Sequence, residues 1–254
     1  MASAQIYNGR KTTEDSQVIS QSHKTIFVHI PKCGGQSVEH MFLDDLGLTW
    51  KQRSPLLLRR NPSSPDLGPP RLAHLVARDY VRFGYISQEE FDAYFKFTVV
   101  RDPYKRALSF FNYLKVGGAR SGMLKSIVGE KVATALSGRK PISLDDFFLE
   151  WLPAQFAAGD ETGQDSRFWF VRPQSDYVFD NAGAQILDRV IRLESLSGDI
   201  EDIRESCQLK SELKHINKSK VKVVAQDLQP RHLEVIEDLY AADFDNFGYD
   251  RRAR

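Results

Sequence analysis

The sequence predicts an α/β fold, a P-loop-like central parallel sheet flanked by helices. Three apolar, β-branched runs, Thr25–Ile30, Tyr94–Val100 and Asp188–Leu193, each lead directly into a segment with helical spacing. Strands that alternate with helices are joined by crossovers, and crossovers cover both faces of a parallel sheet. A chain of 254 residues with 41% hydrophobic and 27% charged side chains is also long enough to bury one large core. The expectation is a single domain over 25–250. A flexible arm over 1–24 precedes it, rich in Ser, Thr and Gln and poor in residues worth burying.

Each element has its own signal. The first strand stops abruptly at Pro31-Lys-Cys-Gly-Gly35, after which Val38, Met41, Phe42 and Leu46 recur on one helical face. Five prolines between Arg53 and Pro70 mark a surface loop, and Arg71–Leu75 reads as a short strand. Ser87 and Glu90 make a capping box that opens a helix. The run Tyr94–Val100 is a buried strand. Asp102 then suits an N-cap and Pro103 the first helical position, with Ala107, Phe110, Phe111 and Leu114 continuing to Gly117-Gly118. A helix is expected over Leu144–Trp151, and another from Glu194 to about Cys207. One amphipathic helix closes the chain over Leu228–Phe247, with Leu233, Ile236, Tyr240 and Phe244 on its apolar face.

Composition excludes several classes. The 35 basic and 34 acidic residues leave a net charge of +1, so no global field draws nucleic acid or an anionic membrane. Met1–Lys24 lacks the apolar centre of a signal peptide, and Ile26–Ile30 is too short to span a bilayer. Cys33 and Cys207 alone make no disulfide framework, for which a reducing cytoplasm is the simplest setting, although a trimmed luminal domain would look the same. Any anion must then be held by a local cluster.

Two such clusters stand out. In Pro31–Ser37, two glycines let the backbone fold tightly so that successive N–H groups and the following helix N-terminus face one point. Lys32 adds a full charge there and Ser37 a hydroxyl. The alternative is a plain Gly-Gly turn with a solvated lysine. At the second junction Arg101 leaves a strand end, with Ser109 one to two turns into the next helix and Arg106 able to share its face. Here the alternative is that Arg101 merely pairs with a carboxylate. Two separate anion sites suit a ligand phosphorylated at two places. The usual nucleotide loop, G-x-x-x-x-G-K-[ST], is absent, because this lysine precedes its glycines.

These stretches carry a family resemblance. Val28-His-Ile-Pro-Lys-Cys-Gly-Gly-Gln-Ser37 resembles the 5′-phosphosulfate loop of the family-2 sulfotransferases, H-I-P-K-T-G-G-T-S. Val100-Arg-Asp-Pro-Tyr-Lys-Arg-Ala-Leu-Ser109 is similar to their 3′-phosphate motif. Shorter likenesses follow in order at Pro173–Tyr177, Arg192–Leu196, His215–Ser219 and Asp243–Tyr249. The resemblance implies 3′-phosphoadenosine-5′-phosphosulfate (PAPS) as donor, the bisphosphate PAP as product, no metal, and a hydroxyl on a carbohydrate or small molecule as acceptor. It implies that Lys32, Cys33, Gly34, Gly35, Gln36 and Ser37 hold the 5′ end and that Lys32 stabilises the leaving phosphate. Arg101 and Ser109 would hold the 3′-phosphate, with Asn217 and Ser219 near the nucleotide. Cys33 and Gln36 depart from the family's two threonines, and a thiol is the poorer donor.

Six histidines offer themselves as the base: His23, His29, His40, His74, His215 and His232. His74 is singled out because Leu72–Arg78 resembles the segment that carries the family's general base. An unperturbed imidazole, with pKa about 6.5, suits proton removal near neutrality. Arg172, Gln174 and Tyr177 are expected at the acceptor, beside an acceptor-side insertion over 115–172. Trp151, Trp169 and Phe170 read as core aromatics, the alternative being a platform for a sugar. Two other readings compete: a P-loop kinase using ATP and Mg²⁺, disfavoured by the displaced lysine, and a non-catalytic nucleotide- or partner-binding module.

Overall fold

The computed structural model describes residues 18–50, 74–117, 143–159, 166–214 and 223–252. In chain order these form β1 (Val18–Ser20), β2 (Thr25–Val28), α1 (Gly35–Asp45), α2 (Asp79–Arg82), α3 (Gln88–Ala93), β3 (Phe95–Val100) and α4 (Pro103–Gly117). A π-helical stretch, Asp146–Trp151, runs into α5 (Leu152–Ala158), followed by α6 (Ser166–Trp169), α7 (Ser175–Val178) and β4 (Arg189–Arg192). The remaining helices are α8 (Leu196–Cys207), α9 (Pro230–Leu239) and α10 (Ala241–Phe247).

The four strands lie in the order β1-β2-β3-β4. β1 is antiparallel to β2, whereas β2, β3 and β4 are mutually parallel. Val18–Ser20 therefore adds an edge strand from within the segment read as an arm. Period-two alternation sends successive side chains to opposite faces. Phe27, Phe97, Val99 and Ile191 meet Val38, Met41 and Phe42 of α1 and Ile200 and Ile203 of α8 on one side. Ile26, Val28 and Val100 meet Tyr80, Tyr177, Val178 and Phe247 on the other. Burying each such side chain contributes roughly 1.5–3 kcal/mol.

Register fixes where the site can form. Val28 pairs with Thr98 and Val100 with Arg192, so the three parallel strands end along one edge. Ligands of open α/β sheets bind outside that carboxyl edge. Thr98 locks the register by donating its hydroxyl proton to the Val28 carbonyl at 2.6 Å.

Besides β1, two elements differ from the sequence expectation. His74 and Leu75, read as part of a strand, lie in a turn and an irregular segment, and His74 has φ of 66°. Residues 71–73 fall outside the described residues. The closing helix is broken at Tyr240 (φ −114°, ψ 26°) into α9 and α10. Ile236, Tyr240 and Phe244 stay buried across the break, so the apolar period runs on and conceals it. Among the described residues no helix is long and apolar enough to cross a membrane.

Candidate active site

The loop after β2 is shaped by left-handed backbone at Lys32 (φ 69°) and Gly34 (φ 81°). A lysine seldom occupies that region, so its conformation must be imposed by neighbours. Two arginines impose it. Arg101 donates from Nη1 to the Lys32 carbonyl at 3.1 Å, and Arg106 donates from Nε to the Pro31 carbonyl at 3.1 Å. Gly35 then opens α1 under close confinement. A Cβ there would lie 2.2 Å from the His29 ring, which is itself fixed by a 2.6 Å bond from Nδ1 to buried Glu39.

Around this loop the groups suited to an anion are donors and cations. The first turn of α1 carries no acidic residue, and its N-terminal N–H groups bring a positive partial charge. Gln36 is exposed and Ser37 buried at its start. Lys32 is half-buried, with Nζ 4.2 Å from the centre of the Tyr113 ring. Burial, then the nearby Arg101, lowers its pKa to about 8. Arg101 is half-buried too, and its Nε is a buried donor with no hydrogen-bond partner among the described residues. Ser109 sits half-buried on α4, whose start is capped by Asp102 through a 3.0 Å bond from the Lys105 N–H. A bisphosphorylated nucleotide fits this set: charged and neutral donors at two neighbouring junctions, with one guanidinium donor still to be satisfied.

Cys33 faces inward. Burial pushes its thiol up to about 12, so it stays protonated and donates to Gln174 Oε1 at 3.1 Å. Gln174 is wholly buried and in turn binds the backbone of Arg101 and the carboxylate of Asp243.

His74 is tied to the same loop. Its Nδ1 lies 2.8 Å from the His29 carbonyl, which can only accept, so Nδ1 carries the proton and Nε2 the lone pair. Its ring stands edge-on to His29 at 4.7 Å and Phe170 at 5.7 Å. Burial first, then the charges of His29, Arg106 and Lys32, holds its pKa well below the ordinary histidine value. The imidazole is thereby kept neutral with one basic nitrogen.

The structure thus brings Lys32, Arg101 and His74 to one loop. It places Gln174 and Tyr177 in the interior, with the Tyr177 hydroxyl donating to the Trp169 carbonyl at 3.0 Å. Arg172 is buried beside Asp176 at 3.9 Å and over the Phe168 ring. Asn217 and Ser219, with His215, lie outside the described residues. The other histidines have separate partners: His23 bonds Ser20 and Asp45, His40 stacks on Trp50, and His232 bonds Asp145.

Three buried groups around the site were not assigned these places from the sequence. Arg106 clamps the loop, Glu39 holds His29, and Asp243 holds Gln174. A signal existed for the acids: Glu39 and Asp243 each fall on the apolar stripe of a helix, where a charge demands a partner.

No curated protein and no solved structure matches the chain. A family model does: the one described as Sulfotransferase family matches residues 15–250, from before β1 to beyond α10, and the chain belongs to that family.

Proposed function

We propose that the protein transfers a sulfuryl group from PAPS to a hydroxyl of a carbohydrate or small-molecule acceptor. The observation that carries this reading is the bond from Arg101 Nη1 to the Lys32 carbonyl, which ties the cation of the second junction to the loop of the first, while Arg101 Nε has no partner among the described residues. PAPS, when bound, supplies the sulfuryl group and a phosphate leaving group. Lys32, the N–H groups from Cys33 to Gln36 and the Ser37 hydroxyl hold the 5′ end and offset charge growing on the leaving oxygen. Arg101 and Ser109 hold the 3′-phosphate, joined by Asn217 and Ser219.

His74 Nε2 accepts the acceptor hydroxyl's proton as its oxygen bonds to sulfur and the sulfur–phosphate oxygen bond breaks. The His29 carbonyl keeps the tautomer that makes this transfer available. Arg172 and Tyr177 serve the acceptor side from within, Tyr177 by holding Trp169 in place, whereas the Gln174 amide is taken up by Arg101 and Asp243. Catalysis is positioning and charge stabilisation, as in phosphoryl transfer.

A thermal-shift series with PAP, AMP, ADP and ATP tests the donor assignment. PAP should raise Tm clearly without Mg²⁺, and the other three should not. Equal stabilisation by ATP, or a strict need for Mg²⁺, would favour a kinase instead.

A further inference from the structure

Gln174 sits between the two anion-binding junctions and touches both. Its Oε1 accepts from the Arg101 N–H at 2.8 Å, and its Nε2 donates to the Arg101 carbonyl at 2.8 Å. The amide therefore pairs with Arg101 as a neighbouring strand residue would, at the point where β3 has ended. The same Oε1 accepts the Cys33 thiol proton at 3.1 Å. One amide group thus links the loop after β2 to the residue that opens the second junction.

The amide is itself held from a third element. Asp243 of α10 is wholly buried, and its carboxylate accepts from Gln174 N–H at 2.9 Å, Ser175 N–H at 2.8 Å and Ser175 Oγ at 2.9 Å. It also lies 3.3 Å from Gln174 Nε2. Buried polar groups satisfied this completely behave as a rigid unit, because breaking any one bond strands the others away from water.

We infer that the Cys33–Gln174–Asp243 chain is a positioning device that fixes the spacing between the 5′ and 3′ phosphate sites. The inference rests on the donor reading above, and it gives Cys33 a function. The thiol is a hydrogen-bond strut to Gln174 rather than a nucleophile. A ligand with phosphates at both ends needs the two sites at one fixed distance. A ligand with a single phosphate does not. Loosening the strut therefore penalises the doubly anchored ligand selectively, since ordering that a preorganised site already has must be supplied on binding.

The test is calorimetric, with PAP, AMP and adenosine 3′-monophosphate as probes. Gln174→Met, similar in volume but without the amide, should weaken PAP about tenfold while each single-phosphate ligand changes less than about threefold. Cys33→Ala removes only the thiol arm and should show the same pattern more weakly. Cys33→Ser, which restores a donor at that point, should recover PAP affinity. Cys33→Ala also keeps the test decisive if Gln174→Met does not fold. The inference is overturned if PAP weakens no more than the single-phosphate ligands, or if Cys33→Ser fails to rescue. A native chain that does not prefer PAP over AMP would instead sink the donor reading, and the two failures are distinct.

Discussion

At the level of single residues the proposed transfer depends on two protonation states held away from their ordinary values. His74 must be neutral to accept a proton, and its pKa is depressed by burial and neighbouring cations, so it stays competent well into the acid range. Lys32 must be charged to hold an anion, and its pKa of about 8 means the free protein loses that charge as pH rises through this value. The pH profile of kcat/KM for PAPS should therefore fall on the alkaline side near about 8, with its acid limb well below 6.5. Lys32→Arg, if active, should lose the alkaline limb, because a guanidinium stays charged. An unchanged limb would assign it to another group. His74→Ala should lower turnover by about 10²–10⁴-fold while PAP binding persists, since the base acts on the acceptor. Loss of PAP binding in that variant would make His74 a structural residue.

Lys32, Arg101 and His74 stand out in the sequence as candidates because each lies in a short ordered motif. The partners of Arg106 and Asp243 are not legible in the sequence, because they lie far away in it. Pro31 is 75 residues from Arg106, and Gln174 is 69 from Asp243. No local pattern encodes such pairs.

Among the elements, the loop between β2 and α1 carries the tightest steric demand. Gly35→Ala would put a methyl group 2.2 Å from the His29 ring, which Glu39 prevents from swinging away. Overpacking of this kind costs about 1–3 kcal/mol. Urea denaturation of Gly35→Ala, His29→Ala and the double variant should show strongly non-additive losses, the steric part vanishing once the ring is removed. Additive losses would mean that the ring is not the obstacle. The strand–loop–helix junctions could be read in advance because strand period, glycines and helical period change within a few residues. The break at Tyr240 could not, since its flanking core residues keep one apolar period. Neither could the turn at His74, whose left-handed backbone has no glycine to announce it.

For the whole molecule, the parallel register of β2, β3 and β4 does the assembling. It brings the ends of Val28, Val100 and Arg192 to one edge, and the loops beyond them supply Lys32, Arg101 and Glu194. Glu194 accepts from the Asp102 N–H at 3.2 Å and from the Tyr249 hydroxyl at 3.1 Å, so even the chain's last segment is tied to the second junction. The alternation of strands and helices predicted this sheet. The antiparallel β1 leaves no such signal, because a three-residue strand has no resolvable period.

The proposed sulfuryl transfer from PAPS is followed directly by a label in the sulfur of the donor. Native protein incubated with labelled PAPS and a panel of hydroxyl acceptors, carbohydrates among them, should yield a labelled product heavier by one sulfuryl group, with PAP released in equal amount. Folded Lys32→Ala should lose this transfer by about 10²–10³-fold, as when an oxyanion donor is removed. Label that stays in PAPS with every acceptor while the protein still binds PAP, or transfer that Lys32→Ala leaves intact, would contradict it.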